Sequence, residues 1–321
     1  MATSVISNLA LQLFSTSSLQ TEQANLSQLN EQLASGHQFD NLTDYTPLDA
    51  QNLLNFQDAI NQRQAFVSSM QTVSARLNVY DSTLGDLANV ASQAGQLASQ
   101  HPNLDPNNVG ILQQQVLAFM NQSVDDLNQQ VGNRYIYAGT RYSTQPVSLN
   151  SVLTNLSPSA TLVTANTLPS YDTQQPGSSQ PAWTQDTVNV DTGDNLTYGV
   201  TSTQPGFQQL IAGMQFINAA TQTGVSAATY QSDMAQAATL LNSALSNIQT
   251  YNAGVAAGIN TIKQATSTQN SDISSLQQQI GSIQNVDLTQ VGTEINLLQT
   301  QLQASYSSTA TVLQNSILKY L

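Results

Sequence analysis

Ten positions between Met234 and Ala265 follow an unbroken three–four alternation: Met234, Ala237, Leu241, Ala244, Ile248, Tyr251, Val255, Gly258, Ile262 and Ala265. That spacing keeps one side of an α-helix apolar or small along its whole length. A stripe this long specifies a helix in a coiled coil or bundle, because a lone helix gains too little from its own hydrogen bonds. After a one-residue slip, Ile273, Leu276, Ile280 and Ile283 continue it. A second slip at Asn285-Val286-Asp287-Leu288 reads as a joint between two helical segments.

Both ends of the chain carry thinner stripes. Leu288, Val291, Ile295, Leu298 and Leu302 step by threes and fours, and Val312, Leu313, Ile317 and Leu321 resume the pattern. At the other end Leu9, Leu13, Leu19, Leu26, Leu29 and Leu33 follow Val5 and Ile6. Gly36 is placed to cap that first helix at its C-terminus. The rest of each terminal helix is Gln, Ser, Thr and Asn, with almost no charge. Each stripe holds too few apolar residues to fix its helix alone, so an interface between copies is the favoured reading, with an ordinary intramolecular core as the alternative. Residues Leu9, Leu13, Leu26, Leu29, Leu33, Leu288, Val291, Ile295, Leu298, Leu302, Val312, Leu313, Ile317 and Leu321 are the candidate assembly interface.

Between these ends the helices nest. A second pattern begins near Asp49 and runs through Leu53, Phe56, Ile60, Val67 and Met70 to Leu77, Tyr80, Leu84 and Leu87, until Pro102 and Pro106 break it. A third spans about Asn108 to Val131, and a shorter one carries Phe207, Leu210, Met214 and Ile217. From Arg141 to Pro205 the texture changes, with six of the nine prolines and the single Trp183. There Thr187–Val190 and Leu196–Val200 read as short strands joined by a Thr-Gly-Asp turn. The expected fold is mainly α with a small β insertion: a nested long-helix rod plus a β-rich knob. The expected domains are a terminal coiled coil (1–40 with 285–321), a helical rod (41–140 with 206–284) and an outer β-rich part (141–205).

Charge narrows the partners. The chain has 6 basic and 19 acidic residues, and none of the basic ones lies between Arg141 and Lys263. Nucleic acid is excluded as a partner, since phosphate neutralisation needs clustered cations. No apolar run approaches the ~20 residues that span a bilayer, so membrane insertion is not expected. The N-terminus has no Lys or Arg ahead of its apolar residues, unlike a cleaved secretory signal. There is no cysteine, hence no disulfide framework.

The nested plan resembles the bacterial flagellin superfamily. Leu33-Ala34-Ser35-Gly36 is similar to the end of that family's first terminal helix, and Asn285–Leu288 and Leu302–Tyr306 to its C-terminal helix. Asn133-Arg134-Tyr135-Ile136-Tyr137-Ala138-Gly139-Thr140 is similar to the rod-end motif of the hook-associated protein 3 branch, which joins hook to filament. The ending Ser316–Leu321 resembles that branch as well. The resemblance implies a self-assembling structural subunit that forms a homo-oligomeric ring, located extracellularly in the flagellum. It implies export through the flagellar type III channel, an export chaperone at the C-terminus, and contacts with another hook-associated protein and with flagellin. A filament-forming flagellin is the alternative within the family. A secreted module binding a surface ligand through the β part is the alternative outside it.

Within the rod-end motif, Asn133, Arg134, Tyr135, Tyr137, Gly139 and Thr140 are the candidate residues. Tyr135 and Tyr137 either meet a neighbouring subunit or pack back on the rod, with Gly139 supplying a bend; packing back is favoured. No enzyme emerges. His37 and His101 sit in expected loops with no partner motif, and no ligand-spaced metal set or cofactor motif occurs. Asp191-Thr192-Gly193 copies the short aspartic-protease signature, but the chemistry needs two such carboxylates and there is one copy. A hairpin turn is the better reading.

Overall fold

A computed structural model describes residues 2–147 and 184–317 of the chain; the expectation for the outer part at 148–183, Trp183 included, lies outside the described residues. Among the described residues, six α-helices and one two-stranded sheet carry the fold: α1 (Ala2–Ser35), α2 (Pro47–Gln100), α3 (Val109–Leu127), β1 (Asp186–Asp191), β2 (Asp194–Tyr198), α4 (Pro205–Ala220), α5 (Ala227–Gln284) and α6 (Leu288–Ile317). It is a long-helix architecture with a small antiparallel insertion, as the periodicities require.

Local chemistry sets the ends of the helices. Gly36 stops α1 in the left-handed region at φ 73°, and its N–H reaches back to the Gln32 carbonyl at 2.8 Å. Thr46 caps α2: the Asp49 N–H donates to its Oγ1 at 3.2 Å, that hydroxyl donates to the Asp49 carboxylate at 2.7 Å, and Pro47 opens the helix. The Asp287 carboxylate accepts from the N–H groups of Thr289 and Gln290 at the start of α6, which holds its pKa below the ordinary value. The third helix is shorter than its apolar stripe suggested. The Asn128 side chain brackets Val147, donating to its carbonyl at 2.7 Å and accepting from its N–H at 3.0 Å, and this turns the chain away from the helix axis.

The chain forms two compact units. One comprises residues 1–62 and 272–321, the other residues 63–271. In the first, α1 and α6 run antiparallel and pack on each other. Their inner ends are tied by backbone bonds from the Gln38 N–H to the Gln284 carbonyl (2.6 Å) and from the Val286 N–H to the Gly36 carbonyl (3.1 Å). The joint expected at Asn285–Leu288 is therefore a short bridged crossing between α5 and α6.

The second unit holds the main core. Leu77, Leu84 and Leu87 of α2, Met120 of α3, Phe207 of α4 and Leu241 of α5 are all fully buried. The apolar stripe of α5 faces inward at Met234, Ala237, Leu241, Ala244, Ile248, Val255 and Ile262. Helix α4 is buried nearly all round, which its high apolar content demands. The strands pair across a two-residue turn at Thr192-Gly193, with Gly193 at φ 80°, and Val188 and Val190 turn into the core. The Asp191-Thr192-Gly193 sequence is thus the hairpin corner, where the Thr192 N–H donates to the Asp191 carboxylate at 2.7 Å.

Candidate assembly surface and rod-end motif

The α1–α6 pair divides the candidate interface residues into two faces. Val291, Ile295 and Leu302 are buried, and Leu298, Leu26 and Leu29 are half-buried. These are the residues through which the two helices hold each other. Leu13 (64 % exposed), Leu33 (44 %) and Leu288 (50 %) point away from the pair, as do Phe14 (76 %) and Leu297 (59 %), which the apolar spacing had not singled out. So one seam is filled within a single chain and a second apolar set stays open. The side chains of Leu9, Val312, Leu313 and Ile317, and Leu321 as a whole, lie outside the described residues.

Polar ties cross the same seam. Ser15 Oγ and Thr309 Oγ1 lie 2.6 Å apart, Gln23 Nε2 donates to the Tyr306 hydroxyl at 2.6 Å, and Ser305 Oγ reaches Glu22 Oε1 at 3.4 Å. Glu22 is the member that apolar periodicity could not reveal. It recurs seven residues after Ser15 and seven before Leu29, on the side of α1 that meets α6.

The rod-end motif folds back on its own unit. Asn133 takes φ 60° and Gly139 φ 58°, conformations that Asn and Gly adopt at the lowest steric cost. Between them Tyr137 is fully buried. Its ring meets Tyr80 edge-on at 4.9 Å and Phe207 at 5.5 Å, and its hydroxyl lies 2.6 Å from Thr83 Oγ1. The Tyr80 hydroxyl donates to the Ile136 carbonyl. Burial pushes both phenols well above the ordinary tyrosine range, so they remain neutral donors. Tyr135 is half-buried and its N–H donates to the Tyr142 carbonyl at 2.8 Å. Thr140 is half-buried and engaged within the chain.

Arg134 ties this arm to the hairpin. Its guanidinium pairs with Asp186 of β1 and lies 4.6 Å above the Tyr142 ring. The Tyr198 hydroxyl also donates to Asp186, at 3.4 Å, and receives Arg76 Nη1 at 2.8 Å. Burial, and then the neighbouring Arg76, lower the pKa of Arg134. The motif signalled Arg134, but no spacing in the chain located Asp186, Tyr198 and Arg76 beside it. Further along β1, the buried Gln269 of α5 donates to the Val190 carbonyl at 3.0 Å and accepts from Arg63 at 2.7 Å. Among the described residues no His, Cys, Asp and Glu group is arranged to hold a metal ion, and no helix is long and apolar enough to cross a membrane.

Residues 238–321 match the bacterial flagellin C-terminal helical region. Over this stretch the chain is similar to the flagellin family. The matched stretch holds most of α5 and all of α6, including the open residues Leu288 and Leu297. The fold is similar to that of a Vibrio parahaemolyticus protein described as a flagellar hook-associated protein, with a TM-score of 0.57 and 12% identity, over 75% of this chain and 100% of that one. It is also similar to Bacillus cereus FlgL, with a TM-score of 0.52 and 14% identity, over 72% of this chain and 100% of that one. At these identities the structures support the fold. No curated protein matches the sequence.

Proposed function

We propose that this chain is a structural, non-enzymatic subunit of the bacterial flagellum that assembles as a ring of identical copies at the hook–filament junction. The supporting observation is that Leu13, Phe14, Leu288 and Leu297 remain open on the α1–α6 pair after it has formed. Each such side chain gains about 1.5–3 kcal/mol when fully buried. Contact with neighbouring copies supplies that burial. The Gln, Ser and Thr that make up the rest of these helices let a wet channel form beside them without fixed charge. On this reading the chain leaves the cell through the type III channel, held by an export chaperone at its C-terminal segment. It then sits between another hook-associated protein and flagellin.

Leu297→Asp tests the proposal because Leu297 is exposed in the single chain. The variant keeps the helical circular-dichroism signal of the parent and fails to enter flagella. A deletion strain carrying it shows bare hooks and secreted filament subunits, while the parent gene restores filaments. Normal filaments from Leu297→Asp would refute the assembly role of Leu297.

The flagellin match over residues 238–321 also supports a second reading, a filament-forming flagellin. The two readings separate on purified protein. A filament subunit polymerises alone into long fibres on salting-out, and a junction subunit does not.

A further inference from the structure

The apolar part of the α1–α6 seam does not by itself select one register. Leu19 and Leu26 lie seven residues apart on α1; on α6, Val291 and Leu298 do so, and so do Ile295 and Leu302. Sliding one helix past the other by seven residues leaves leucines against apolar partners. Both α6 series end in a hydroxyl, Ser305 after Leu298 and Thr309 after Leu302. In the structure those hydroxyls meet the polar members of α1: Thr309 lies beside Ser15, and Ser305 beside Glu22.

Glu22 is an expensive residue to hold there. Its Oε1 accepts from Ser18 and Ser305, each at 3.4 Å, and its Oε2 is buried with no hydrogen-bond partner among the described residues. A buried carboxylate oxygen without a donor lowers stability. What it contributes is discrimination. A one-heptad slip in one direction sets Glu22 against Leu298, which offers no donor; the opposite slip, which sets Ser15 against Ser316, brings it beside Val312 and the Thr309 hydroxyl.

We propose that Glu22 is a register-determining residue of the α1–α6 pair, giving up stability in exchange for forbidding the slip that would carry it from Ser305 to Leu298. The alignment sets how the exposed residues of α1 and α6 lie along one another, so Glu22 acts on assembly without touching a neighbouring copy.

The chain has no cysteine, so engineered disulfides in the full-length protein read the register directly. Ser15→Cys with Thr309→Cys reports the native alignment, whose hydroxyls are 2.6 Å apart. Asn8→Cys with Thr309→Cys reports one slip, and Ser15→Cys with Ser316→Cys the other. In the parent, the native pair cross-links at least tenfold more than either slipped pair. Adding Glu22→Leu raises the thermal midpoint and brings the cross-link between positions 8 and 309 to within about threefold of the native one. Glu22→Gln, which stays polar, keeps the parent pattern. Retention of the single native cross-link by Glu22→Leu would overturn the proposal, as would absence of the native cross-link from the parent.

Discussion

Gly213→Ala and Gly85→Ala are the same substitution in two helix interiors, and the structure gives them opposite signs. Gly213 lies in α4 against α5. A Cβ there would sit 2.6 Å from Leu241 Cγ, 3.0 Å from Leu241 Cδ2 and 3.3 Å from the Ala237 carbonyl oxygen. Leu241 is fully buried and cannot swing into solvent, and the Ala237 contact is backbone. Relief therefore requires the helices to separate. Such overpacking costs about 1–3 kcal/mol, against about 0.5–1 kcal/mol gained because Ala loses less backbone entropy than Gly. With a clash at a branch carbon near the upper end of that range, the net loss is about 1–2 kcal/mol. Gly85 in α2 has nothing within 4 Å of its would-be Cβ, so only the gain of about 0.5–1 kcal/mol remains. In a unit of this size 1 kcal/mol moves the melting temperature by about 2–4 °C. Gly213→Ala should melt about 2–8 °C lower than the parent, and Gly85→Ala about 1–4 °C higher, in thermal scans of the 222 nm signal. Shifts of both variants in the same direction would refute the packing argument.

Two further outcomes follow from the second unit. Asp126 has a buried, unpartnered Oδ2, and burial, then Asp86 and Asp125, raise its pKa to about 6 from 3.8. A raised carboxyl pKa means that the folded state binds the proton more tightly, so stability is fully present below the unfolded pKa and falls as pH rises from about 4 to 6. Because the group is about half solvated, the loss is on the order of 1 kcal/mol after screening. Asp126→Asn should flatten that stretch of the pH–stability curve and stabilise the protein at pH 7; an unchanged slope in urea titrations would contradict the assignment. Arg134→Met leaves Asp186 without its cation and should cost about 2 kcal/mol. Its mark is faster amide exchange in β1, β2 and the arm around Tyr135, with the amides of α4 as protected as before; uniform loosening of the whole unit would argue against a local clasp.

The long helices were legible because burial on one side leaves a period in the sequence. The stripe from Met234 to Ala265 lies on the core face of α5, and the Thr-Gly-Asp corner lies between β1 and β2. The rod-end motif showed that residues 133–140 matter locally, and Gly139 forecast a bend that occurs at φ 58°. Which of its side chains faced inward was not written in spacing. Tyr137 is enclosed by Tyr80, Thr83 and Phe207, from elements 54 to 70 residues away, and only the tertiary fold brings them together. The end of α3 was misjudged for a similar reason. Val131 continues the apolar period, yet the bond pair between Asn128 and Val147 outweighs one more turn of helix.

Polar residues inside apolar stripes carry the information that period alone leaves out. Gln269 occupies the point where the α5 stripe slips by one residue, and it is almost fully buried. An apolar side chain there would leave the Val190 carbonyl without its donor and would remove the contact from Arg63, so the slip marks the place where the hairpin docks on the helix. Glu22 occupies the corresponding kind of position in α1, but its carboxylate has one oxygen left over. A fully satisfied polar residue fixes a contact and adds to stability. A partly satisfied one lowers stability and can be retained only through what it forbids. In a helix pair whose leucines repeat every seven residues, what has to be forbidden is a slip, and Glu22 opposes the one that would carry it from Ser305 to Leu298.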